Sequence, residues 1–112
     1  MATLQEFKKQ SDNMTGIQEL VIVARDGTVL LQSGGQSKYL GDYVAYVAVM
    51  AEQLRPHLGF TGPYHLIMEQ TSGERILTLL GEQIIVGFDL SSNVSPAKIL
   101  EQFGPLVDQI TI

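Results

Sequence analysis

Residues 38–58 carry two apolar stripes at helical spacing, where an ordinary surface helix carries one. Leu40, Val44, Val47, Ala51, Leu54 and Leu58 recur at alternating intervals of four and three. Tyr39, Tyr43, Tyr46 and Met50 make a second line beside them, and Ala45, Ala48 and Val49 fill much of what remains. Charge is confined mainly to Lys38, Asp42, Glu52 and Arg55. One stripe lets a helix pack on one surface; two stripes call for a second surface. Pro56 is expected to distort the last turn, and Gly59 is a natural stop. Three tyrosines lie on this helix and the fourth, Tyr64, opens the next apolar run. Tyrosine buries area while keeping a polar end, which suits a subunit or partner interface, or else the rim of the chain's own core.

Composition sharpens the same point. Hydrophobic residues make up 45% of the 112 residues and charged residues 17%. A comfortable monomer surface carries roughly 25–35% charge, and a chain of this length buries only about 60–65% of its unfolded surface. A net charge of −5 disfavours nucleic acid as a partner, because phosphate binding needs a basic field. The absence of cysteine excludes a disulfide framework and thiolate chemistry. Residues 1–10 hold no apolar stretch of the kind that opens a secretory signal, and no run approaches the roughly 18 apolar residues of a membrane span. A cytoplasmic protein without direct membrane insertion is expected. The tripeptides Asn13-Met14-Thr15 and Asn93-Val94-Ser95 are then chance matches to a glycosylation site.

The remaining elements follow from local pattern. Leu4 and Phe7 give residues 3–12 a short amphipathic helix, too short to stand alone and so bound to dock. Residues 17–24 and 28–33 are β-prone runs around Asp26-Gly27, the strongest short-range hairpin signal. Residues 34–37 form a connection and residues 60–63 a turn. Strands are expected over 64–69, 74–80 and 83–89, with turns at Thr71-Ser72-Gly73 and Gly81-Glu82. The near-continuous run Ile84, Ile85, Val86, Phe88 suits a strand covered on both faces, or an inner one. Ser95-Pro96 opens a last helix as cap and first residue, with Ile99, Leu100, Phe103, Leu106, Val107 and Ile110 on its buried side. Pro105 should kink or restart it. The order α-β-β-α-β-β-β-α is that of a single α/β (α+β) domain over residues 1–112: a five-stranded, mostly antiparallel sheet with helices on both faces.

Chemistry-bearing patterns are sparse. His57 and His65 stand in no ligand cluster, and no phosphate loop follows the first strand or Gly34-Gly35. Asp26 is a turn residue before it is a metal ligand. Glu69 and Glu74 could face each other across a tight connection, but short turns leave little cleft for paired-carboxylate work. Ser91, Ser92 and Ser95 have no His-Asp partner in sequence context. No enzymatic activity, cofactor or metal is expected.

The whole pattern resembles the roadblock/dynein light chain family. The resemblance rests on the strand at 17–24, the Asp26-Gly27 turn, Val29-Leu30 with Ser33-Gly34-Gly35, and the alanine-rich helix ending Ala51-Glu52-Gln53-Leu54. It continues through Leu66–Glu69, Ser72-Gly73, the hairpin at Gly81 and the final helix, covering about residues 14–110. Asn93-Val94-Ser95-Pro96-Ala97-Lys98 departs from the glycine-containing, more basic stretch common there, and Gly104-Pro105 is unusual; both bear on the partner more than on the fold. The resemblance implies a roadblock/profilin-like fold. It implies a homodimer, or a heterodimer with a paralogous subunit, joined edge to edge through 64–69 with the long helices meeting across the two-fold axis. On that basis the interface is expected at Tyr39, Tyr43, Tyr46, Val47, Met50, Leu54, Tyr64, Leu66 and Met68. The implied function is that of a non-enzymatic regulator or scaffold of a small Ras-like GTPase, bacterial relatives being stimulators of GTP hydrolysis. Arg25, Arg55 and Arg75 are the available arginine fingers, and no motif marks any of them. One alternative is a structural light-chain or adaptor subunit without effect on nucleotide turnover. Another is a small-molecule sensor, which the dense aliphatic set Ile84, Ile85, Val86 and Leu100 disfavours by filling the core.

Overall fold

The structure, a computed structural model, describes residues 3–34, 38–58, 64–81, 83–107 and 109–110. In chain order the elements are α1 (Leu4–Asp12), β1 (Ile17–Ala24), β2 (Val29–Gly34), α2 (Lys38–Leu58), β3 (Tyr64–Glu69), β4 (Arg75–Leu80), β5 (Ile84–Leu90) and α3 (Pro96–Val107). The strands form one sheet in the order β2-β1-β5-β4-β3, antiparallel throughout. The expected connection over 35–37 and turn over 60–63 lie outside the described residues.

Local chemistry explains the first hairpin. Gly27 takes φ +94°, a conformation that costs glycine nothing. The Asp26 carboxylate accepts the Thr28 amide at 2.9 Å, and Ala24 N–H closes the turn on the Thr28 carbonyl at 2.8 Å. That amide bond holds the Asp26 carboxyl below its usual pKa.

β5 is the inner strand its composition announced, paired with β1 on one side and β4 on the other. Ile84, Val86, Phe88 and Leu90 pack on the side covered by α1 and α3, and Ile85 on the side covered by α2. The first core is centred on three rings. Phe7 of α1, Phe88 of β5 and Phe103 of α3 have centroids 5.0, 5.2 and 6.0 Å apart. This is the docking that α1 needs; Thr3 caps it by accepting the Glu6 amide at 3.2 Å, and Lys8 pairs with Asp12 at 3.0 Å.

The second core joins Leu40, Val44 and Val47 to Val21, Val23, Leu80 and Ile85. Its closeness depends on Gly87. A Cβ there would collide with Val44 and sit 3.3 Å from Val21, so the missing side chain is what lets α2 settle on the sheet.

Two expectations are corrected. α3 does not restart at Pro105: it is one helix from Pro96 to Val107 with Pro105 inside it. Pro105 falls in the last turn, and Glu101, whose carbonyl it leaves without an N–H, is exposed to water. Glu69 faces Arg75 rather than Glu74: the two are directly opposite in the β3–β4 register and form an ion pair at 3.5 Å.

Candidate dimerisation surface and adjoining groove

Register assigns each side chain to a face. Leu80, Thr78 and Ile76 of β4 are opposite Tyr64, Leu66 and Met68 of β3. Leu80 belongs to the core under α2, so Leu66 and Met68 share the α2 side of the sheet, while Ile67, opposite Leu77, lies on the other side. β3 is an edge strand and every described side chain on it is exposed. Leu66, Ile67 and Met68 remain 40, 45 and 46% accessible. Three adjacent large apolar residues on an open strand edge form a pairing surface unless something covers it.

α2 packs chiefly on β1 and β5, with a lesser contact to β2. Ala45 turns towards the β1–β2 hairpin, where it stands 3.5 Å from a Cβ built on Gly27. The tyrosine flank therefore turns the other way, towards β3. Tyr43 and Met68 line one groove there, together with Leu40, Ile76, Gln70, Glu19 and Asp89, around a volume of about 420 Å³. Tyr46 is 64% exposed, Val49 is exposed and Met50 half-buried.

The structure thus brings Tyr43, Tyr46, Met50, Leu66 and Met68 to one side of the molecule. Val47 parts from them: it is 3% exposed and packed into its own subunit's core. One helical position separates it from Tyr46, and that 100° rotation carries it from the free flank to the sheet. The side chains of Tyr39, Leu54 and Tyr64 lie outside the described residues, as do those of Arg55 and His57. His65 is exposed on β3. Arg75 reaches the Val94 carbonyl at 3.4 Å as well as Glu69. Among the described residues no group of three or more His, Asp and Glu side chains is placed to hold a metal ion, and no helix is long and apolar enough to cross a membrane.

The groove carries polar groups that sequence reading passed over. Glu19 and Asp89 are directly opposite on β1 and β5, and Glu19 is buried. Burial pushes the Asp89 carboxyl up, and the nearby Glu74 and Glu19 carboxylates add to the rise; burial also raises the Tyr43 phenol. The signal was present: Glu19 has the parity of Val21 and Val23 and so had to face α2.

A raised carboxyl pKa makes the folded chain the tighter proton binder. Stability from this group is fully present below the unfolded pKa of about 4 and is lost as pH rises through the higher folded value. Asp89→Asn should therefore raise the urea midpoint near pH 7, measured where the chain is monomeric, with the gain shrinking towards pH 4. An unchanged midpoint at both values would show that Asp89 is not strained in the fold.

No family model and no curated protein sequence matches the chain. Solved structures do. The Roadblock/LC7 domain from Streptomyces avermitilis superposes with a TM-score of 0.69 at 15% identity, over 91% of this chain and 88% of that one. The fold is that of a roadblock domain. MglB of Myxococcus xanthus gives a TM-score of 0.70 at 11% identity over 91% of this chain and 83% of its own. Schizosaccharomyces pombe profilin gives 0.67 at 18% identity over 94% of each. At such identities the likeness is one of fold. The roadblock/profilin architecture read from the sequence, five antiparallel strands with helices on both faces, is the one observed.

Proposed function

We propose that the chain is a single-domain, non-enzymatic platform that dimerises through β3 and the tyrosine flank of α2 and binds a small Ras-like GTPase in the cytoplasm. The observation that carries this reading is the open β3 edge, with Leu66, Ile67 and Met68 exposed and the half-exposed flank of α2 on the same side. Pairing two copies of β3 covers both edges, and two-fold symmetry makes the patch self-complementary. The roadblock fold joins this to the family reading made from the sequence, in which such dimers hold Ras-like GTPases. The dimer would act by ordering the partner's switch segments, since phosphoryl transfer depends on positioning and electrostatics rather than on covalent help.

The test is to purify the chain with small Ras-like GTPases of the same genome, loaded with GTP or GDP. Co-elution of a dimer with one GTPase, and a changed rate of hydrolysis or exchange, is expected. A complex without any change in rate would favour the adaptor reading, and no complex with any of them would remove the GTPase.

A further inference from the structure

Four side chains stand directly opposite one another in a single row across the α2 side of the sheet: Glu19 of β1, Asp89 of β5, Ile76 of β4 and Met68 of β3. This row is the floor of the groove, and Leu40 and Tyr43 of α2 cover it. In the next row Gly87 lets Val44 settle on the sheet, which holds α2 down over β1 and β5 and leaves the groove open towards β3. The floor changes character along its length, from acidic at its inner end to apolar at its outer end. Strands lie about 4.8 Å apart, so Asp89 and Met68 are separated by about 10 Å. A volume of about 420 Å³ is within the range of small-molecule sites.

The fold leaves the acidic end unsatisfied at one residue. Glu19 already has an interaction within the chain. Asp89 differs: it is half-buried, and its Oδ1 has lost water without gaining a hydrogen-bond partner. Tyr43 Oη, above the same floor, is buried without a partner too. Such oxygens are ordinarily paired. Glu19 and Glu74 add negative potential around Asp89, which favours a charged donor over a neutral one and repels an anion. Among the described residues no three acids are placed to hold a metal ion, and Leu40, Ile76 and Met68 offer such an ion no ligand.

We propose that the groove binds a small organic amine, with its ammonium on the Asp89 carboxylate and its apolar body laid along Ile76 and Met68 beside Tyr43. The site is built within one subunit, so the inference does not rest on the dimer or on the GTPase.

Hexylamine, hexanol and hexanoate share one body and differ in head group. Each is titrated near neutral pH into the isotope-labelled full chain, and amide shifts are followed by nuclear magnetic resonance. Hexylamine should shift the amides of Tyr43, Ile76 and Asp89, with a dissociation constant on the order of 1 mM or below for so few atoms. Hexanol should bind at least about tenfold more weakly, and hexanoate more weakly still. Butylamine, two methylenes shorter, should lose about tenfold against hexylamine. Asp89→Asn should weaken hexylamine at least about tenfold and leave hexanol nearly unchanged. The head-group comparison is made on the wild-type chain and stands whatever the variant does. Equal binding of amine and alcohol, equal binding of the two amines, or an amine affinity that Asp89→Asn does not change would overturn the proposal. So would shifts confined to another part of the chain, or none at all at several times the expected dissociation constant.

Discussion

Replacing Phe88 with alanine should cost about 3–5 kcal/mol of folding stability, the range for emptying an aromatic site in a packed core. Phe88 is fully buried on the inner strand, with the Phe103 ring at 5.2 Å and the Phe7 ring at 6.0 Å. The cavity would open between sheet, α1 and α3, and helices tied to the strands on both sides limit how far it can collapse. Domains of this size hold about 5–15 kcal/mol in all, so the variant should sit near its unfolding transition. α1 should suffer first, because nine residues make a marginal helix once the Phe7 contact loosens. Urea titration followed by circular dichroism measures the loss. A loss below about 1 kcal/mol would mean that the three rings do not pin the helices, against the cost expected of such a cavity.

The features most readily read from the sequence are those whose cause is local. Asp26-Gly27 sits between two apolar runs and needs nothing distant to make its turn. The run from Ile84 to Phe88 carries its own evidence of burial on both faces, and β5 is the strand with neighbours on each side. The two stripes of α2 were equally visible, and the structure separates their roles: Leu40, Val44 and Val47 meet the sheet, while Tyr43, Tyr46 and Met50 do not share that burial. Val47, expected at the interface, is buried against its own sheet, because the sequence shows two stripes without saying which one that sheet takes.

Features that depend on distant pairing stayed hidden. Glu19 and Asp89 become neighbours only because β1 pairs with β5 across most of the chain. Gly87 looks like an interruption of an apolar strand until Val44 is found against it. Pro105 reads as a helix breaker by its ring, yet its place in the last turn and the exposure of Glu101 blunt the effect. The groove is thus the part of the candidate site that sequence reading could least supply, since it is built from five elements and the segment after β3.

Leu66→Asp should turn the dimer into a folded monomer. Leu66 is 40% exposed on an edge strand, so a carboxylate there stays hydrated in the free subunit and costs the fold little. In the paired edge it would be desolvated, and two-fold symmetry would bring two such carboxylates into the same interface, at several kcal/mol for each unpaired charge. With tenfold in dissociation constant for every 1.4 kcal/mol, a rise of at least about 100-fold is expected. Tyr46→Asp, on the 64% exposed residue of the helix flank, should act in the same direction. Val47→Asp is the contrasting case. Its carboxylate would be buried against Val21, Val23 and Ile85, so that chain should lose its fold rather than merely its partner. Light scattering against concentration, together with the thermal midpoint of each variant, separates the two effects. If Leu66→Asp and Tyr46→Asp both remain dimers as tight as the wild type, the subunits meet elsewhere. If Val47→Asp folds normally, α2 does not rest on the sheet as the structure has it.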